Sequence, residues 1–213
     1  MTASRIMTEA GMGIMSEPAK LTMPVNSNRD HFQGPDVAPV TLLEYGDYEC
    51  PYCGRAYLIV KKIQDHFGDQ LRFVFRNFPL TQVHPHAQHA AESAEAAGAQ
   101  GRFWEMHDTL YENQDALDDA SLREYAELLD LDMERFDTEM MMHVHAKRVR
   151  EDFVSGVMSG VNGTPTFYLN GFRYDGSWDG DNLAAAIEQL ITTTSESMNQ
   201  KEMHIPGREI SDE

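Results

Sequence analysis

The segment Val40-Thr41-Leu42-Leu43-Glu44-Tyr45-Gly46-Asp47-Tyr48-Glu49-Cys50-Pro51-Tyr52-Cys53 holds most of the structural information in this chain. Its first half, Val40 to Tyr45, is an apolar run of the length and composition of a buried strand. Pro51 suits the first turn of a helix, where its missing N–H leaves nothing unpaired. The predicted helix continues through Ala56, Leu58, Ile59, Ile63 and Phe67 at helical spacing, and Gly68 stops it. Cys50 and Cys53 are the only cysteines in the sequence, so no wider disulfide framework exists. A strand running into Cys-x-x-Cys at a helix start is the pattern of a thiol–disulfide redox site.

Working outward, Leu71 to Phe78 alternates in part and predicts a second strand, which makes strand–helix–strand, the start of an α/β sheet. Residues 84–158 read as helical throughout. Ala87, Ala90, Ala91, Ala94 and Ala97 form a small-residue face that allows close helix packing. Ser121 to Glu124 has the form of a capping box, and Asp132 is placed to cap a short helix with Met133 and Phe136 facing inward. Val149, Phe153 and Val157 mark a longer helix that ends near Gly160. Strand character returns at Thr166–Leu169, Asn170-Gly171 is a hairpin turn, and Phe172–Tyr174 is the return strand. Asn182 to Ile191 predicts a final amphipathic helix. Residues 1–34 lack sustained periodicity and read as a flexible arm, and 193–213 as a disordered tail.

The chain has 213 residues and a formal net charge of −18, long enough for one well-cored domain with tails. The charge argues against nucleic acid and anionic membrane surfaces as partners. No apolar run reaches the roughly 18 residues of a membrane helix. The first 30 residues show no basic start, apolar core and small-residue cleavage site, so the expectation is a cytoplasmic protein, or an extracytoplasmic one if a signal has been removed.

The chemistry centres on the cysteine pair. At a helix N-terminus Cys50 lies near free backbone N–H groups and the positive end of the helix dipole, which favour its thiolate. Cys53 is one turn further in and more buried, so Cys50 reads as nucleophile and Cys53 as resolving thiol. Two ordinary buried cysteines are the bland alternative. A zinc half-site is another, with His84, His86 and His89 or His143 and His145 to complete it; helix-start and surface positions are the preferred account of those histidines. Glu44 is a carboxylate inside an apolar strand. If buried, its pKa is raised and it could take a proton from Cys53; if on an edge, it simply faces water. In Gly163-Thr164-Pro165-Thr166-Phe167 the proline at a strand mouth is compatible with a cis or a trans bond, and a cis bond would leave the Thr164 backbone free to pair with an extended peptide.

The run Gly34 to Cys53, with Phe78-Pro79-Leu80, His84-Pro85-His86-Ala87 and Gly163-Thr164-Pro165-Thr166-Phe167, resembles the DsbA-like group of thioredoxin-fold oxidoreductases, found free or fused to other bacterial domains. The likeness spans about residues 30–192. It implies an α/β thioredoxin fold with an inserted all-helical domain, divided as 1–34 arm, 35–82 first thioredoxin-like part, 83–158 helical insertion and connecting helix, 159–192 second part, and 193–213 tail. It implies that Pro165 is a cis-proline packed against the cysteines, with Thr164 before it, and that Glu44 matches the buried acid of the fold. The Pro51-Tyr52 dipeptide is that of glutaredoxins and lacks the histidine of the strong periplasmic oxidant, which implies weaker stabilisation of the Cys50 thiolate.

The expected activity is thiol–disulfide exchange with protein or peptide thiols. Cys50 attacks, Cys53 resolves, Glu44 assists proton transfer, and Pro51, Tyr52, Thr164 and Pro165 meet the substrate. No cofactor beyond the dithiol is expected, and a redox partner of unstated identity recycles it. A glutathione-linked oxidoreductase, a metal–thiolate module and an interaction protein that merely keeps the fold are the competing expectations.

Overall fold

A computed structural model describes residues 19–202. Five strands form one sheet, β1 (His31–Gln33), β2 (Val40–Gly46), β3 (Leu71–Asn77), β4 (Thr166–Leu169) and β5 (Phe172–Tyr174), in the order β1-β3-β2-β4-β5. β2 and β3 are parallel and joined through α1 (Pro51–Phe67), whereas the other pairings are antiparallel. A parallel pair needs a crossover of this kind. Between β3 and β4 the chain inserts α2 (Ala87–Gly98), α3 (Phe103–Glu112), α4 (Asp119–Leu128), α5 (Met133–Met141) and α6 (Ala146–Met158), and α7 (Gly180–Glu202) ends the described chain.

Strand alternation sorts β2 between two apolar layers. Leu42 joins Phe73, Phe75 and Phe167 in the larger core with α1, α3 and α7. Leu43 and Tyr45 join Val74 and Tyr168 in the smaller one, against which Phe153 of α6 packs. Glu44 shares the Leu42 face, opposite Phe75 on β3 and Phe167 on β4. The alanine face of α2 is buried, as its small side chains allow, and α3, α5 and α6 all pack on this helix. The β4–β5 turn places Asn170 and Gly171 at φ of 48° and 85°, the left-handed conformation that a two-residue hairpin demands.

The flexible-arm expectation fails for residues 19–34. Leu21 is buried and its N–H donates to the Gly171 carbonyl at 2.9 Å. β1 adds an antiparallel edge to β3. Asp30 receives the guanidinium of the fully buried Arg76 through Nε at 3.0 Å and Nη2 at 2.8 Å. The same guanidinium donates to the carbonyls of Met23 at 2.9 Å and Pro24 at 3.1 Å. These links join distant positions and leave no local periodicity. Residues 1–18 of that expectation lie outside the described residues.

Other differences are local. α7 runs eleven residues past the 182–191 core expected of it, so 193–202 is helical and 203–213 lies outside the described residues. Thr193 and Thr194 there donate to the carbonyls of Gln189 and Leu190 at 2.8 Å, which absorbs hydroxyls that read as loop-like in sequence. α4 is capped by Asp118, whose carboxylate accepts from the Ala120 and Ser121 N–H groups, and not by Ser121. Asp132 caps α5. Val157 of α6 is half exposed, while Val149 is buried.

Candidate active site

The site is built where β2 ends and α1 begins. Gly46 closes the strand, and a Cβ there would fall 2.4 Å from the Phe75 ring and 2.8 Å from the Tyr111 hydroxyl, so only glycine fits. Asp47 follows, buried, and its carboxylate holds the loop. It accepts from the Glu49 N–H at 2.9 Å, the Leu80 N–H at 2.8 Å and His84 Nδ1 at 2.8 Å. The Asp47 carbonyl accepts the Cys50 N–H at 3.1 Å. Glu49 turns away, its carboxylate accepting from the His86 N–H at 2.6 Å.

Cys50 is the N-cap residue of α1, in extended backbone conformation and with Pro51 next. Its carbonyl accepts from the Gly54 N–H at 3.1 Å and from Gln114 Nε2 at 2.9 Å, and Gln114 Nε2 also donates to the Tyr48 carbonyl at 2.7 Å. Across the site the chain approaches from β4. The Thr164–Pro165 peptide bond is cis, and the Cys50 thiol donates to the Thr164 carbonyl at 3.5 Å. The Thr164 hydroxyl is buried with no partner. Pro51 and Tyr52 are exposed, Pro165 half-buried.

Both cysteines are free thiols, and their surroundings push them in opposite directions. The Cys50 pKa is lowered to about 5, first by the hydrogen bond from Cys53 and further by the backbone N–H groups of Cys53 and Tyr52, against an opposing burial penalty. Burial drives the Cys53 thiol well up, reinforced by the bond it gives Cys50 and by the negative charge of Glu44. Glu44 is buried and one carboxylate oxygen has no partner. Burial, then the charge on Cys50, raises its pKa to about 8. The edge position for Glu44 is therefore excluded.

A buried aromatic wall closes the underside. The Tyr48 hydroxyl and His107 Nδ1 share a hydrogen bond at 3.1 Å, and burial lowers His107 to about 3 and keeps it neutral. Tyr111 lies against Tyr48 and Tyr57, ring centroids 4.9 and 5.3 Å away, with its hydroxyl buried and unpartnered. Four of the five histidines weighed as zinc ligands have other partners. His84 pairs with Asp47, His89 with Asp119, His143 with Glu92 and His145 with Glu139. Among the described residues no three His, Cys, Asp or Glu side chains converge as a metal site would require.

Cys50, Cys53, Glu44, Thr164 and Pro165 thus come together from β2, α1 and the approach to β4. Asp47 and Gln114 went unrecognised in the sequence. Asp47 sits inside the informative segment, and a carboxylate just before a helix start was the available signal. Nothing local marks Gln114.

The family profile described as Thioredoxin matches residues 26–189. Among solved structures, BdbD from Bacillus subtilis superposes with a TM-score of 0.70 at 26% identity, covering 83% of this chain and 96% of that one. A thioredoxin-like oxidoreductase from Silicibacter pomeroyi gives a TM-score of 0.68 at 25% identity, over 77% of this chain and 93% of that one. The chain belongs to the thioredoxin family, and its fold is shared with the DsbA-like proteins. Among curated proteins it is 48% identical over 183 residues to Na(+)/H(+) antiporter NhaA 1 of Salinispora arenicola, a match covering 86% of this chain and 28% of that protein. The chain thus spans little more than a quarter of the curated relatives it matches. Among the described residues no helix is long and apolar enough to cross a membrane.

Proposed function

We propose that this chain exchanges disulfides with protein or peptide thiols through the Cys50–Cys53 dithiol. The supporting observation is the contrast between the two sulfurs, one held toward thiolate at the helix start and the other protonated behind it. The Cys50 thiolate attacks a substrate disulfide. The substrate S–S bond breaks, a mixed disulfide forms, and the first substrate sulfur leaves as a thiolate. Cys53 then loses its proton and attacks Cys50 Sγ. The second substrate thiolate departs, and two electrons have passed from the dithiol to the substrate. The reverse sequence oxidises a substrate dithiol, and the relative potentials set the direction. A separate redox partner restores the starting form.

Glu44 serves the second step. Its raised pKa owes part of its shift to the negative charge of Cys50. Once Cys50 is bonded to substrate that charge is gone, so the carboxyl ionises more easily at the stage where Cys53 needs a base. Thr164 and Pro165 offer the substrate backbone a place to lie, and Tyr52 is an exposed contact beside the sulfur.

The test is insulin reduction by the purified chain, together with its equilibrium in glutathione buffers. Cys50→Ser is expected to be inactive and Cys53→Ser to accumulate mixed disulfides. Full activity in Cys50→Ser would overturn the assignment.

A further inference from the structure

Among the described residues no carboxylate pairs with Arg55, a cation at the rim of the site. Arg55 is exposed on α1, and its guanidinium carbon lies 4.6 Å from the ring centre of Tyr52, one of the two residues between the cysteines, and 6.0 Å from that of Trp178. Trp178 comes from the loop between β5 and α7 and packs against the main core. The start of α7, two residues on, rests on α1, since a Cβ at Gly180 would lie 3.8 Å from Ile59. The charge is thus held between a fixed indole and an exposed phenol, by the attraction of cations to ring faces.

In a chain with 35 acidic and 17 basic residues, an unpaired arginine needs an explanation. Among the described residues every arginine except Arg55 and Arg150, which stands on α6, lies within 4.0 Å of a carboxylate oxygen. The acids flanking Trp178 are engaged elsewhere. Asp175 pairs with Arg173 at 2.9 Å, and Asp179 accepts from Ser177 at 2.6 Å and Asn182 at 2.8 Å. Cys50 is only 3% exposed, so a substrate that reaches it also meets the surface around it, to which Tyr52 belongs. Tyr52, the floor beneath Arg55, is 55% exposed. The largest influences on the Cys50 thiolate come from Cys53, burial, Thr164 and the helix-start N–H groups and not from Arg55.

We infer that Arg55, fixed by Tyr52 and Trp178, is a specificity-determining residue that selects peptide or protein substrates with an acidic residue beside the reacting cysteine. The guanidinium presents several donors in a plane that a carboxylate can meet. Elsewhere on this acidic surface such substrates are repelled, and the rim gives them one favourable approach. The inference rests on the proposed exchange activity and names its substrate class.

The experiment compares short peptides Gly-Glu-Cys-Glu-Gly, Gly-Gln-Cys-Gln-Gly and Gly-Lys-Cys-Lys-Gly, each as the mixed disulfide with the same thiopyridyl leaving group, by stopped flow with the reduced full chain. Expected is an acidic-to-neutral rate ratio about 2- to 5-fold higher in the wild type than in Arg55→Gln, the size of a partly exposed ion pair. Arg55→Glu is expected to shift preference to the lysine peptide, and Trp178→Leu to reduce the acidic preference. The pH midpoint of Cys50 alkylation is expected to be the same in wild type and Arg55→Gln, which separates substrate selection from a change in the nucleophile. Equal ratios in wild type and Arg55→Gln would overturn the inference while leaving the exchange activity standing. So would an Arg55-dependent preference for glutathione mixed disulfide without one for the acidic peptide. No reaction of Cys50 with any of the peptides would sink both.

Discussion

The Gln114 amide donates to the carbonyl oxygen of Cys50 at 2.9 Å. A residue of the inserted helical region thereby fixes the backbone that carries the nucleophile. The same amide nitrogen holds Tyr48 two positions earlier, at 2.7 Å, so the loop between β2 and α1 is gripped along its length.

This grip can be isolated by a double-mutant cycle. Gln114→Ala removes both bonds and is expected to cost about 1–2 kcal/mol in urea unfolding. Gly54 lies inside α1, where alanine is normally better by about 1 kcal/mol. A Cβ at position 54 would fall 2.0 Å from Gln114 Oε1, so in the wild type Gly54→Ala displaces the amide and the helical gain is lost. In the Gln114→Ala background Gly54→Ala is expected to stabilise. Strictly additive effects would mean that the two side chains do not compete.

The reduced protein should react with iodoacetamide along a pH profile whose midpoint is near 5, the value to which Cys50 is lowered. Because the bond from Cys53 is the largest cause, Cys53→Ala is expected to move the midpoint upward. A wild-type midpoint in the ordinary thiol range, about 8.5, would remove the physical basis of the nucleophile assignment.

Stability against pH separates Glu44 from Cys50, because their signs oppose. The folded Glu44 pKa of about 8 lies above its ordinary 4.5, so its contribution is whole below 4.5 and is lost as pH rises through 8. The folded Cys50 pKa of about 5 lies below its ordinary 9.0, so its contribution is present above 9.0 and lost as pH falls through 5. In the reduced protein the two slopes offset each other between pH 5 and 8. Oxidation removes the thiol titration and also the Cys50 charge that helps raise Glu44, so the oxidised protein is expected to lose stability from pH 4.5 up to a folded Glu44 pKa that lies below 8. Glu44→Gln is expected to abolish that loss and to raise stability near neutral pH by roughly 2 kcal/mol. Urea midpoints of both redox forms from pH 4 to 9 provide the check.

Asp47 and His84 give a titration that NMR can read. Burial pulls the His84 pKa down, but the bond to Asp47 and the charges of Asp47, Cys50 and Glu49 raise it further than burial lowers it. A raised histidine stabilises the fold below its unfolded pKa and ceases to do so as pH rises through the folded one. Asp47→Asn is therefore expected to lower the His84 pKa and to destabilise more at pH 5 than at pH 8. An unmoved His84 titration would show that the pair in Asp47–His84 is not formed in solution.

What was legible in the sequence was whatever a short window contains. The β2 run, Pro51 after Cys50, Gly68 at the end of α1 and the Asn170-Gly171 turn each carry their own stereochemical reason, and their elements fall within a residue or two of expectation. The cysteines were legible because their type and spacing are the chemistry. Asp30 and Arg76 were not, because each looks like an ordinary surface charge until the chain brings residues 46 positions apart together. Gln114 gave no sign because its partners are backbone carbonyls, which every sequence has. Ser121 misled because Asp118, three residues earlier, takes the N–H of Ser121 itself and so starts the helix first.

The anchoring of Arg76 decides where this polypeptide can be trimmed. A chain started at Gly34, the turn where the sequence invites a cut, would remove both Asp30 oxygens and the carbonyls of Met23 and Pro24 from a guanidinium that has no exposed surface. Of its hydrogen-bond acceptors only the Tyr45 hydroxyl would remain, and stranding a buried charge in this way costs about 3–5 kcal/mol. Even a fragment begun at residue 26, where the family profile starts, forfeits the Met23 and Pro24 acceptors, so shortened or fused versions should retain everything from about Leu21 onward.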